Sequence, residues 1–153
     1  MSSEIDDFAD ELQKRILDEM REVYSEKVVE LFLHPKNFGK MELPDGQAKF
    51  TGPCGDTMYM FLRITKGVIR EAKFITDGCG TTIACGGMLT EMVKGKIIEE
   101  AEAISDLDIL NILGGLPDED KHCALLAANT LKAAIADYRK SRREPWKRIY
   151  RKQ

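Results

Sequence analysis

The stretch Thr57-Met-Tyr-Met-Phe-Leu-Arg-Ile-Thr65, then Lys66-Gly67, then Val68-Ile-Arg-Glu-Ala-Lys-Phe-Ile-Thr76 decides the fold class. Both flanking runs are rich in β-branched, aromatic and long apolar residues, and both read as strands. The Lys66-Gly67 link is short enough for a two-residue hairpin, a turn that needs positive backbone φ. A third strand, Gln47–Thr51, follows the turn signal Pro44-Asp45-Gly46. Three strands joined in sequence order predict an antiparallel meander. After Asp77-Gly78-Cys79-Gly80 the pattern changes: from Thr82, the residues Ile83, Cys85, Met88, Leu89 and Met92 mark one helical face as far as Lys94, and Gly95 ends it.

Downstream everything reads as helix. A short helix covers Ile97–Ile104. Ser105 caps the next, with Asp106 and Asp108 in its first turn and Gly114-Gly115 as its stop. The last begins near Lys121, with Cys123, Leu126, Ala127, Thr130, Leu131, Ala134 and Tyr138 as its buried stripe. Upstream, Phe8, Leu12, Ile16, Met20, Val23, Val28 and Leu31 predict a long amphipathic helix over about residues 5–33, with a break at Tyr24-Ser25. His34-Pro35-Lys36-Asn37-Phe38-Gly39 ends it, and His34 reads as a turn residue. The fold class is therefore α+β: a three-stranded antiparallel sheet packed against several helices, with an additional N-terminal helix.

The chain has 153 residues, 43% apolar and 32% charged, with a net charge of -3. These values fit one folded domain with an extension and exclude a disordered chain. No run reaches the roughly 20 apolar residues that a membrane span requires. The acidic start, without an apolar core, excludes a secretory signal, so a cytoplasmic location is expected. Charge is uneven. Residues 1–26 carry nine acids against three bases, and residues 139–153 carry eight bases against one acid. The basic tail reads as a solvated docking face in preference to a nucleic-acid site. It could also pair with the acidic N-terminus or with an acidic protein partner.

Three of the four cysteines sit where the chain turns. Cys54 lies in Gly52-Pro53-Cys54-Gly55-Asp56, Cys79 in Asp77-Gly78-Cys79-Gly80, and Cys123 follows His122 at a helix start. The partial positive charge of a helix N-terminus favours thiolate at Cys123 and, more weakly, at Cys79. Asp56 and His122 add oxygen and nitrogen donors. Three sulfur ligands with a carboxylate or an imidazole suit Zn²⁺ or an iron–sulfur cluster. The spacing is loose, without a CxxC pair, and buried structural cysteines would fit it as well. Lys121 could lower a thiol pKa, pair with Asp56, or stay solvated. The methionines, including Met58, Met60, Met88 and Met92, read as core filler.

Taken in order, Tyr24-Ser-Glu-Lys-Val-Val29, His34-Pro-Lys-Asn-Phe-Gly39, Cys54-Gly-Asp56, Gly78-Cys-Gly80, Glu91-Met-Val-Lys-Gly-Lys96, His122-Cys123 and Ala133-Ala-Ile-Ala-Asp-Tyr138 resemble the IscU-type iron–sulfur cluster assembly scaffolds, a family that includes the N-terminal domain of NifU. The resemblance covers about residues 24–140. It divides the chain into an N-terminal helical extension (1–23), a scaffold domain (24–140) and a basic tail (141–153).

The resemblance implies a non-enzymatic scaffold. Such a protein assembles a [2Fe–2S] cluster from iron and from sulfur supplied by a cysteine desulfurase, and passes it to apo-proteins. It implies an iron donor or ferredoxin as a further partner and a homodimer when the cluster is bound. By position, Cys54, Asp56, Cys79, His122 and Cys123 match the family's site. Asp56 or His122 would be the exchangeable fourth ligand, and Cys123 the persulfide acceptor. The alternative is a zinc-bound sulfur acceptor resembling the SufU branch. That branch has an insertion between the second and third cysteines and lacks the histidine. Here the interval is short and His122 is present, which favours the scaffold.

Three departures stand out. Cys85 is extra, and reads as a core residue or as an auxiliary thiol. The family's chaperone-recognition segment Leu-Pro-Pro-Val-Lys aligns with Leu116-Pro117-Asp118-Glu119-Asp120, where an aspartate replaces the lysine. Recognition by a specialised Hsp70 chaperone is therefore left open. The amphipathic extension is expected to pack within the chain, with a dimer contact as the alternative. Tyr24, although it matches the family pattern, is assigned to packing.

Overall fold

The computed structural model describes residues 2–146. The chain runs α1 (Ser2–Val23), α2 (Glu26–Leu33), β1 (Gly46–Thr51), β2 (Thr57–Thr65), β3 (Val68–Thr76), α3 (Gly80–Val93), α4 (Ile98–Glu102), α5 (Asp106–Leu113) and α6 (Lys121–Arg143). One turn of 3-10 helix, Asp118–Asp120, leads into α6. The α+β meander expected from the sequence is what forms: the sheet order is β1-β2-β3, antiparallel throughout. Lys66 and Gly67 both take positive φ, 53° and 75°, as a two-residue hairpin turn demands.

One face of the sheet is dry. Met58, Met60, Leu62 and Ile64 of β2 point into it, and α3 and α6 cover it. On β3 the inward residues change parity, from Ile69 to Ala72 and Phe74. The register slips between Arg63 and Ile64, so that Arg70 is the extra residue of a bulge. Without it, one of these apolar sets would face water. The segment after α2 docks on the free edge of β3. Gly39 N–H donates to Phe74 C=O at 2.8 Å, and Phe74 N–H donates to Asn37 C=O at 3.0 Å. The Phe38 and Phe74 rings meet edge to face at 5.4 Å. Asn37 donates to Thr90 and Glu91 and accepts from Lys94, which fastens this segment to α3. His34 caps the end of α2, exposed, as a turn residue.

The helix ends follow their signals. Ser105 and Asp108 form a reciprocal capping box on α5, and Gly114 ends that helix at φ 85°. α3 differs from its expected single face. Thr81, Thr82, Ala84, Gly86, Gly87, Leu89, Thr90 and Val93 are buried with Cys85, because its small residues let neighbours close in from several sides. Gly86 lies against the Phe74 ring, and Gly87 against Leu31.

Gly46 marks where α6 crosses β1. A Cβ there would lie 2.6 Å from Ala134 C=O and 2.9 Å from Tyr138 Cβ. A backbone oxygen cannot step aside, so Gly46→Ala is expected to destabilise the fold by about 1–3 kcal/mol. A thermal melt should read this as a fall of several degrees, and an unchanged midpoint would contradict this packing.

The extension departs from expectation. It is helical from Ser2 and breaks from α2 at Tyr24-Ser25, where Ser25 caps α2. Its stripe, however, does not pack within the chain: Ile5, Phe8, Leu12, Ile16 and Val23 are 47–71% exposed. The apolar side of α2 (Val28, Val29, Leu31) packs on α3 and not on α1, and Phe32 and Leu33 of α2 are themselves exposed. Among the described residues no helix is long and apolar enough to cross a membrane. Residues 147–153, which hold four of the six bases of the expected basic tail at 141–153, lie outside the described residues.

Candidate functional site: a thiol cluster at one end of the sheet

Five chain ends meet at one end of the sheet: the β1–β2 turn, the end of β3, and the starts of α3 and α6 with the turn before it. Strand pairing does most of this work. Thr57 N–H donates to Asp77 Oδ1 at 2.8 Å, and Thr76 Oγ1 donates to Thr57 C=O at 2.7 Å. These bonds tie the Cys54 loop to the Cys79 loop. The Cys54 loop is itself closed by Gly52 N–H to Asp56 C=O at 2.9 Å and Gly55 N–H to Gly52 C=O at 3.0 Å, with Gly55 at φ 88°. A Cβ on Gly52 would lie 3.6 Å from a Leu126 methyl, so this loop sits over the first turns of α6.

Cys79 is the residue before α3, and Cys123 is in the first turn of α6. Between them lies the Thr82 hydroxyl. It donates to Cys123 Sγ at 3.3 Å and lies 3.7 Å from Cys79 Sγ. His122 Nε2 is 3.7 Å from Cys123 Sγ. The structure thus brings Cys79, Cys123 and His122 together. Cys54 and Asp56 ride on the adjoining loop, and among the described residues no hydrogen bond or ion pair joins their side chains to the other three. Nor, among the described residues, do three His, Cys, Asp or Glu side chains already stand close enough to hold a metal ion. All four cysteines are free thiols.

The order of thiol acidity reverses the expectation from helix ends. Cys79 is exposed. What burial its sulfur has opposes charge, but the N–H and hydroxyl of Thr82, and then those of Thr81, outweigh it. They face the sulfur without closing a cap hydrogen bond, and its thiol ionises below the usual value. Cys123 is fully buried. Burial pushes its thiol up to about 11, against the Thr82 hydroxyl, with the charges of Cys79 and Asp120 adding to the rise. Dehydration and a carboxylate at the same helix start therefore overcome the helix dipole. Cys85 is buried in the core, and burial drives its thiol higher still. Lys121 pairs with neither Asp56 nor a thiol. It reaches Asp118 at 2.7 Å in an exposed ion pair.

Three neighbours of the site escaped the sequence reading. Thr82 is one. The other two are Tyr24 and Asp120, joined by a hydrogen bond from the Tyr24 hydroxyl to Asp120 Oδ2 at 3.0 Å. Ser25 adds a hydrogen bond from its hydroxyl to Leu113 C=O. The hinge between α1 and α2 is thereby held beside the start of α6. Two signals were available: the match of Tyr24 to the family pattern, and the aspartate standing where the family has a lysine.

Soft sulfur with imidazole and carboxylate nearby is a donor set for iron or zinc, and it fits an iron–sulfur cargo. Fold and site together define a thiol-based domain of the cluster-assembly class. The chain belongs to the NifU-like N-terminal domain family, whose model matches residues 23–145. It is 44% identical over 126 residues to the iron–sulfur cluster assembly scaffold protein IscU of Escherichia coli strain K12, across 79% of this chain and 97% of that protein. It is 44% identical over 117 residues to IscU 1 of Archaeoglobus fulgidus, across 76% of each chain. Among solved structures, a NifU-like N-terminal protein from Brucella abortus superposes with a TM-score of 0.62 at 18% identity, covering 77% of this chain and 95% of that one. A SUF-system scaffold from Fervidobacterium islandicum superposes at 0.59 with 23% identity, covering 73% and 96%. These two show the shared fold.

Proposed function

We propose that this chain is a scaffold on which an iron–sulfur cluster is built and from which it is handed to apo-proteins. The observation that carries this reading is the convergence of Cys79 and Cys123 on one buried hydroxyl, with His122 against the Cys123 sulfur and the Cys54–Asp56 loop tied alongside. The cluster is cargo, of the [2Fe–2S] type, and the protein acts as its carrier in the cytoplasm, not as an enzyme with turnover. Iron and sulfur come from separate partners, an iron donor and a cysteine desulfurase. Sulfur transfer is a redox-neutral exchange. A scaffold thiolate attacks the outer sulfur of a donor persulfide, a new S–S bond forms, and the donor leaves as thiolate; a ferredoxin-type electron donor then supplies the two electrons per sulfur that cleave this S–S bond and give cluster sulfide. The resting geometry makes Cys79 more available for this than Cys123, the acceptor expected from the family. Cys54, Cys79 and Cys123 would hold the cluster, with Asp56 or His122 as the exchangeable fourth ligand. Three thiolates and one harder donor hold a cluster less tightly than four thiolates do, which suits release.

The test is transfer to an apo-ferredoxin. Asp56→Ala is expected to lengthen the transfer half-time by about tenfold, the scale on which disturbing a metal site acts. Unchanged kinetics would remove Asp56 from the ligand set.

A further inference from the structure

We propose that Thr82 is a positioning residue for the cargo, donating a hydrogen bond to the Cys123 sulfur and so loosening the iron bond at Cys123. The inference rests on the scaffold reading and extends it to a residue that tunes one of the ligand bonds. Two other buried helical threonines bond their own backbone: Thr90 Oγ1 donates to Gly86 C=O at 2.8 Å, and Thr130 Oγ1 to Leu126 C=O at 2.7 Å. This is the usual use of a mid-helix hydroxyl. Thr82 stands in the first turn of α3 and is fully buried, yet its hydroxyl goes to sulfur. The neighbouring backbone is cut to fit it. A Cβ on Gly78 would lie 2.7 Å from Thr82 Oγ1, so only glycine leaves the hydroxyl its room. The β-branched side chain is stiff about χ1, which keeps the oxygen between the two sulfurs.

A hydroxyl has a single proton to give. When both sulfurs are ligands, it can serve only one of them. The nearer sulfur, Cys123 at 3.3 Å against 3.7 Å for Cys79, receives it. A hydrogen bond to a ligand sulfur withdraws electron density from the metal bond and tunes its strength and potential. The bond at Cys123 is thereby loosened by a hydroxyl that is not itself a ligand.

The experiment compares wild type, Thr82→Val, Thr82→Ser and Thr82→Ala after anaerobic loading with iron, cysteine and a cysteine desulfurase. Thr82→Val keeps the shape and removes the hydroxyl. It is expected to move the sulfur-to-iron absorption to longer wavelength, lower the reduction potential, and slow transfer about two- to tenfold, the worth of one ordinary hydrogen bond. Thr82→Ser, which keeps the hydroxyl, should stay close to wild type. Thr82→Ala repeats the loss in case valine disturbs folding, which a thermal melt reports. Valine and alanine variants with the wild-type band and potential would overturn the proposal. If the wild type itself takes up no iron with sulfide, the scaffold reading fails instead. The same variants are then loaded with Co²⁺ alone. A shifted thiolate-to-cobalt band in Thr82→Val supports the hydrogen bond, and an unshifted one overturns it.

Discussion

Iodoacetamide at pH 8 is expected to modify Cys79 at least about a hundredfold faster than Cys123 in the metal-free protein. Only the thiolate reacts, and its fraction falls tenfold for each pH unit below the pKa. Cys123 titrates at about 11, against 9.0 for an ordinary thiol, which alone removes about two factors of ten. Burial of its sulfur adds a barrier of access. Cys79 is exposed and ionises below the usual value. Cys54, exposed on its loop, is open to the reagent, and Cys85, buried, should react only on unfolding. Mass mapping of a time course gives the order. Raising the pH toward 11 should narrow the gap between Cys79 and Cys123, because the Cys123 thiolate fraction then rises to about one half, leaving the barrier of access. Equal rates at pH 8 would contradict the burial assigned to Cys123.

The second large effect concerns the cargo. Cys79→Ser and Cys123→Ser are each expected to cut retained iron and sulfide to below about a tenth of wild type, since a serine hydroxyl is a poor ligand for iron beside sulfide. Cys85→Ala is the control. It lies fully buried in the core, so its loss should lower stability by about 1 kcal/mol, as for other small core truncations, and leave loading intact. Loss of the cluster in Cys85→Ala with retention in Cys123→Ser would reverse the roles assigned to these two thiols.

Much of this could be read from the residues. The Lys66-Gly67 hairpin, the Ser105 cap and the Gly114 stop are local devices, each fixed by two or three neighbouring residues, and each forms as read. The buried stripe of α6 from Cys123 to Tyr138 follows from helical period alone. What depended on distant neighbours was not legible. The bulge at Arg70 shows in the sequence only as two consecutive polar residues, Arg70-Glu71, and the slip itself is defined only against β2. The stripe of α1 shows an apolar arc but not what covers it, and among the described residues nothing does. The sequence places two cysteines at helix starts, where the dipole favours thiolate. It does not show that one is buried beside Asp120 while the other faces water. Tyr24 and Asp120 lie 96 residues apart, and only the fold brings them together. Thr82 was passed over because a threonine in a helix start usually has nothing but backbone to bond.

The most direct measurement is iron, zinc and acid-labile sulfide per chain, on wild-type protein purified without oxygen and incubated with iron, cysteine and a cysteine desulfurase. The scaffold account predicts iron and sulfide in equal amounts, with a visible charge-transfer spectrum that disappears as an apo-ferredoxin is added and its own spectrum grows. Tightly held zinc, no sulfide, and faster turnover of the desulfurase would contradict it and assign the site to sulfur acceptance.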